Sequence, residues 1–426
     1  LDNLKELGLR IQQERFNRNM TQRQLAEKTE GYISMSTLSN IEKGACRNIE
    51  KVRYILKLLN INELVEEGEN KEEELRKLEL MIAENNINLL RKKVATWLNT
   101  TKITDSNKIV VNYLKARNLY KQKEYEKAKE QYTRTLAEMN RFPVDEKSNI
   151  KSSCFNDLSV IEHIYCNNTD KALYYSNSGI DSFRYEGERK HIYGNLLANK
   201  CIYLNRLGRT EEALTTMEEL KSSHHVAVDA KLSIIDLEAS IKANQKMYDS
   251  AIQLAMEGIE LSRINLNFNR NYQLTTTLGK IYRIMGDLDK AEICLNGALS
   301  LERIVTKDHI IPATYIELGL VYIEKDEFEK AIEILNKGMN IANNVNNMVQ
   351  YLKSKLNLGI VLLRKGYSEM AANHLEDAFR LGKGTALFEE ILFNLSKCYL
   401  QLGDLDKYVK VSSIYFENGG INHVSS

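Results

Sequence analysis

The sequence predicts an all-α protein: a small N-terminal helical unit, a linker helix, and an array of about eight helix pairs. Three observations carry this. Pro occurs only at Pro143 and Pro312 in 426 residues, and a chain rich in Leu, Lys, Glu, Asn and Ala with so little Pro has few helix breakers. A small residue recurs in a KA- or EA-like context at Ala128, Ala172, Ala213, Ala251, Ala291, Ala331 and Ala371, with separations of 44, 41, 38, 40, 40 and 40. A fixed period of this length marks stacked supersecondary units. Before residue 62 the pattern differs, with short apolar stripes punctuated by Ser, Thr and Gly.

Residues 1–62 read as four or five short helices around one core. Leu4, Leu7 and Ile11 form one apolar stripe, and Val52, Ile55, Leu56 and Leu59 form another. Between them, Thr21 and Gln24 fit a capping box. Ser34 is placed to cap a second helix through Lys43, and Gly44 stands where a left-handed C-cap belongs. MTQRQLAEKT followed by SMSTLSNIEKG resembles the helix-turn-helix of the Xre/Cro phage-repressor type, over roughly residues 5–62. The turn Thr29–Ile33 is about two residues longer than usual in that family.

The resemblance implies that the second helix enters the DNA major groove and that its N-terminal residues reach base edges. Met35, Ser36, Thr37 and Asn40 then face the bases, Ser34 joins the DNA-binding set at the start of the helix, and Gln22, Arg23 and Lys43 hold phosphates. Asn40 suits bidentate reading of adenine, and the Thr37 methyl suits thymine. Residues 1–61 carry eleven Lys and Arg against seven Asp and Glu, a net +4, whereas the whole chain is only +1. Any attraction to nucleic acid is therefore local. A helical protein-interaction unit with polar caps is the other reading of the same residues.

Residues 63–105 read as an acidic linker helix region. Glu63, Glu66, Glu67, Glu69, Glu72, Glu73 and Glu74 lead into Leu75, Leu78, Met81 and Ile82, the pattern of a solvated helix face. Trp97, the only Trp, is expected to anchor the join between this linker and the helix-pair array.

Residues 106–426 form the repeat region. Leu278-Gly279 is followed by Tyr282, Gly286, Ala291 and Ala298; Leu318-Gly319 by Tyr322 and Ala331; Leu358-Gly359 by Gly366, Ala371 and Ala378. These copies resemble the tetratricopeptide repeat, helix pairs with small residues where the helices touch. A unit of this kind cannot bury its apolar face alone, so stacking builds the core and a concave superhelix results, right-handed in this family. The spacing near 40 predicts longer helices than a 34-residue repeat. The last unit, with Tyr408 where the small residue belongs, suits a cap.

An Xre-type reader followed by long tetratricopeptide-like repeats resembles the RRNPP group, the peptide-pheromone-responsive regulators of Gram-positive bacteria, especially its NprR- and PlcR-like members. The resemblance implies a cytoplasmic homodimer, with a tetramer as the other state, that binds a double-stranded DNA operator and a short re-imported signalling peptide. It also implies that asparagines on the inner helices hold the peptide backbone. Polar stripes stand at the corresponding places: Tyr113 and Arg117; Asn195, Asn199 and Arg206; Asp236; Gln273, Lys280 and Arg283. Lys280 or Arg283 suits a peptide carboxylate. Ala313, Ile316, Leu320 and Ile323 suit apolar side chains. The same stripes also fit the solvated side of amphipathic helices. Rap-type members of the group act on response regulators, so sequestration of such a phosphorelay protein in the groove is the alternative function.

No catalytic constellation is legible. The six cysteines are scattered without CxxC or Cys/His ligand spacing, so neither a metal, a cofactor nor a disulfide framework is expected, and the thiols read as reduced. His224-His225 are adjacent, which on a helix turns them about 100° apart. There is no phosphate loop, GxSxG or HExxH, so the chain is not expected to be an enzyme. No apolar run reaches the ~20 residues of a membrane span, and the N-terminal residues lack a signal-peptide core. The expectation is a soluble cytoplasmic protein, its sequence beginning at Leu1 rather than Met.

Overall fold

The computed structural model describes residues 2–46, 48–59, 61, 75–82, 105–141, 145–223 and 226–417. The acidic run 63–74, Trp97, Pro143 and His224–His225 lie outside these residues. The chain divides into two compact units, Leu1–Glu124 and Tyr125–Ser426. All regular structure among the described residues is helical.

The first unit contains α1 (Asp2–Asn17), α2 (Gln22–Glu27), α3 (Met35–Glu42), α4 (Ile49–Leu58) and α5 (Asp105–Lys121). Each of the three short helices starts on a side-chain cap. Thr21 and Gln24 form the reciprocal capping box on α2, Ser34 accepts from the Thr37 amide on α3, and Asn48 accepts from the Lys51 amide on α4. These caps satisfy amides that a helix start leaves without partners. Leu7, Ile11, Leu25, Ile33, Leu38, Ile41, Val52, Ile55, Leu56 and Leu59 form the core of α1–α4.

The long turn between α2 and α3 has a physical anchor. Glu30 and Gly31 are both left-handed, at φ 49° and 86°. Buried Thr29 closes the turn, its hydroxyl donating to the Ala26 carbonyl at 2.7 Å and accepting from the Ile33 amide at 3.0 Å. Ile33 is thereby delivered to the core and Ser34 to its capping position. A buried ion pair ties α1 to α3: Arg15 Nε and Nη2 donate to Glu42 at 2.7 and 3.0 Å.

The second unit opens with α6 (Tyr125–Met139) and continues as seven helix pairs. They are α7 (Ile150–Ile164) with α8 (Thr169–Asp181), α9 (His191–Arg206) with α10 (Thr210–Ser222), and α11 (Val228–Asn244) with α12 (Tyr248–Ile264). Next come α13 (Phe268–Met285) with α14 (Leu288–Leu299), α15 (Ile311–Glu324) with α16 (Phe328–Asn344), α17 (Met348–Arg364) with α18 (Ser368–Gly382), and α19 (Phe388–Leu402) with α20 (Leu405–Glu417). The period predicts about eight pairs, and the second unit holds seven of them after the single helix α6. Helices of up to 18 residues account for a period longer than 34.

Within each pair the two helices pack together, and the first helix of each pair also touches the first helix of the next. The first helices α7, α9, α11, α13, α15, α17 and α19 therefore form one continuous inner wall of a superhelical array. The recurrent alanines, from Ala128 to Ala371, are all fully buried. Gly279, Gly319 and Gly359 mark a second contact: a Cβ there would lie 2.7, 2.6 and 2.5 Å from Leu295, Leu335 and Leu375. No real Cβ is accommodated at that distance, so only glycine lets the paired helices approach. The array also makes a contact between helix pairs that are distant in sequence. Tyr165, after α7, stacks on Tyr125 and lies 6.3 Å ring to ring from His309, just ahead of α15.

Candidate DNA-reading face and ligand cavity

On α3 the sequence places apolar residues at 38 and 41 and polar residues between them. Leu38 and Ile41 are buried, which turns Ser34, Met35, Ser36, Asn40 and Lys43 outward. Met35 is 55% exposed. Thr37 is half-buried, and Ser34 Oγ lies 2.9 Å from both Ser36 Oγ and Thr37 Oγ1. The cap thus sets the rotamers of three hydroxyls at the outward end of α3. Arg23 is exposed and pairs with Glu27 at 3.1 Å. Gln22 is half-buried, and its amide donates to Glu42 Oε2 at 2.8 Å, so its side chain supports the Arg15–Glu42 pair.

The residues expected to hold a peptide fall into three environments. Tyr113 and Arg117 belong to α5 of the first unit. Tyr113 is fully buried, and Arg117 Nη1 donates to its hydroxyl at 3.1 Å. In the second unit several of the others are engaged by neighbours. Asn199 donates to Asn156 Oδ1 at 3.2 Å. Arg206 donates to Asn167 Oδ1 at 3.3 Å. Asp236 accepts the Thr277 hydroxyl at 2.5 Å, and burial pushes its carboxyl above the usual range. Gln273 accepts from Arg270 at 3.1 Å. Arg283 is held by two carboxylates, Glu317 at 3.0 Å and Glu324 at 2.6 Å. Asn195 is half-buried on the inner wall.

Lys280 stands apart from these. It lines a cavity of about 380 Å³ on the inner wall, built from α11, α13, α15, α17 and α19, within the ~300–1,000 Å³ usual for ligand clefts. Ala313, Ile316, Leu320 and Leu356 supply an apolar wall, and Ser240, Thr276, Gln350 and Asn357 supply hydroxyls and amides. The charged lining residues are Lys280, Lys353, Glu317 and Glu390. Ile323 is buried in the core instead. Lys353 was not among the residues that sequence singled out. Burial above all, then the charges of Lys280 and Arg206, hold it below the ordinary lysine range against the opposing pull of Glu317 and Glu390.

Among the described residues no group of three His, Cys, Asp or Glu side chains is placed to hold a metal ion. None of the six cysteines is in a disulfide. No helix of the described residues is long and apolar enough to cross a membrane.

A helix-turn-helix family model matches residues 11–64, and a tetratricopeptide-repeat model matches residues 270–344. Among curated proteins none matches the chain in sequence. Among solved structures, NprR in complex with its cognate peptide NprX is 13% identical, over 84% of this chain and 91% of that one, with a TM-score of 0.52. A signal-transduction ATPase with numerous domains and a tetratricopeptide-repeat sensor, from Pyrococcus horikoshii, is 15% identical over 85% of this chain and 55% of that one, also with a TM-score of 0.52. The apo form of the quorum sensor NprR from B. thuringiensis is 14% identical over 87% and 94%, with a TM-score of 0.44. The fold and the two family models define an all-α protein that joins a helix-turn-helix to tetratricopeptide repeats. Within that class the chain resembles the RRNPP-group regulators and repeat-sensor proteins.

Proposed function

We propose that the chain is a cytoplasmic, non-catalytic quorum-sensing transcription regulator. In this reading α3 reads a double-stranded operator, and a short signalling peptide occupies the inner-wall cavity of a homodimer. A ligand that prefers one arrangement of the array shifts the population toward it by its differential affinity. A coupling of ~1–3 kcal/mol is typical of such switches. The observation that carries the reading is the 380 Å³ inner-wall cavity with Lys280 and Lys353, which make no side-chain hydrogen bond or ion pair among the described residues, in the same chain as a helix-turn-helix whose Asn40 and Lys43 face outward. The similar fold of NprR, solved with its cognate peptide, supports it.

The test is binding of the purified protein to the DNA upstream of its own gene, with and without short peptides encoded immediately downstream. A footprint that changes with peptide, and that disappears in Thr37→Ala/Asn40→Ala, is expected; each lost base contact costs about 1–3 kcal/mol. A footprint unchanged in the double variant would remove α3 as the reading helix. DNA binding indifferent to every peptide would move the assignment to a protein partner in the groove, such as a response regulator.

A further inference from the structure

The cations of the second unit mostly find anions. Arg283 takes Glu317 and Glu324, Lys325 takes Asp289 and Glu292, and Lys355 takes Asp377. Lys280 and Lys353 do not. They stand on α13 and α17, face one cavity, and make no side-chain hydrogen bond or ion pair with any described residue. The acids around them do not fill this role. Glu317 is committed to Arg283, Asp236 accepts the Thr277 hydroxyl, and Glu390 lines the cavity without reaching either ammonium. Two like charges that no carboxylate of the described residues contacts directly, in a half-enclosed cavity, are costly to hold. An incoming anion relieves both the desolvation and the repulsion. Beside the lysines the wall is branched and aliphatic, formed by Ile316, Leu320, Leu356 and Leu387.

We propose that Lys280 and Lys353 together seat a ligand carboxylate, with the aliphatic wall taking the side chain next to it. The ligand is then a short peptide ending in a free carboxylate on a branched aliphatic residue. This rests on the peptide-binding reading above and adds the chemistry of one end of the peptide. An Asp or Glu side chain within a peptide carries its carboxylate away from the neighbouring side chains. A C-terminal leucine, isoleucine or valine puts carboxylate and branched carbons close together, as the cavity does with its cations and apolar wall. The depressed proton affinity of Lys353, which burial and the charges of Lys280 and Arg206 produce, agrees with a site that an incoming carboxylate would stabilise.

The experiment uses the full chain and two pools of N-acetylated random hexapeptides ending in leucine, one as free acids and one as C-terminal amides. Retained peptides are identified by mass spectrometry. The minimal probe is 4-methylpentanoate, leucine without its amine, against 4-methylpentanamide, followed by ligand-observed magnetic resonance. Free acids are expected to be retained at least tenfold better than amides, and the carboxylate fragment to bind where its amide does not. Lys280→Met and Lys353→Met, which keep the aliphatic stem, should each abolish that preference. Lys337→Met, on the outer face of α16 where Lys337 pairs with Glu333 at 2.7 Å, should retain it. Lys353→Met should also unfold at a higher temperature than the parent, since it removes a cation without a partner, and that readout separates lost recognition from lost folding. Retention of both pools alike, undiminished in the lysine variants, overturns the carboxylate seat and leaves peptide binding standing. Retention of neither pool by the parent protein overturns peptide binding itself.

Discussion

His163 shows how one buried ring makes stability depend on pH. It packs 4.7 Å from Tyr203, and burial, helped by the charge of Arg206, lowers its pKa to about 3. Unfolded, it takes a proton near 6.5. Between those values the unfolded chain binds more protons, so its contribution is complete above about 6.5 and is lost as pH falls toward 3. The thermal midpoint should therefore drop from pH 7 to pH 5, and less steeply in His163→Asn, which never charges. Parallel slopes would assign the acid sensitivity to other groups. Arg15 makes the second residue-scale case. Arg15→Met strands the buried Glu42 carboxylate with only the Gln22 amide, at a cost of about 3–5 kcal/mol. Calorimetry should show the helix-turn-helix transition weakened, and Arg15→Met/Glu42→Leu should recover most of the loss. A double variant no better than the single would mean that the pair is needed for packing rather than charge balance.

At the scale of elements, helix pairs are set by where backbone meets side chain. Gly319 admits Leu335 between α15 and α16, so Gly319→Ala should cost about 1–3 kcal/mol by overpacking, with part recovered in Gly319→Ala/Leu335→Val. Gly297, on α14, has nothing within 4 Å of its would-be Cβ. There the same change should stabilise by about 0.5–1 kcal/mol through helix propensity. Opposite signs in urea unfolding are the expected result, and equal signs would refute the packing account. The close approach in the first unit was not legible in sequence. A Cβ at Gly8 would lie 2.4 Å from the Ile41 carbonyl oxygen, and nothing in LKELGLR announces which helix end it meets.

For the repeat unit as a whole, the informative contact is the one that joins distant pairs. Tyr165 and His309 are 144 positions apart in the chain, and their rings lie 6.3 Å apart edge to face. Tyr165 also donates to the Tyr125 hydroxyl at 2.6 Å. Tyr165→Ala should loosen that contact, seen as a larger radius of gyration for the protein in small-angle scattering and a faster exchange of cavity ligand. An unchanged scattering profile would show that helix stacking alone sets the pitch.

Helices, caps and the repeat follow from local chemistry, and so they are written along the chain. Ser34, Thr21 and Gln24 cap because their side chains reach amides three residues away. The 40-residue recurrence of Ala251, Ala291, Ala331 and Ala371 marks the helix contacts because each repeat meets the next in the same way. Even the missed lysine is encoded there: Gln273, Ala313 and Lys353 are successive 40-residue equivalents. Which inner-wall side chains already have partners is another matter. Arg283 and Lys280 differ little on paper, yet α15 offers Arg283 two carboxylates and offers Lys280 none. Helix formation depends on residues within one turn of each other, whereas pairing a charge depends on which helix lies opposite, and that is known only once the pairs have stacked.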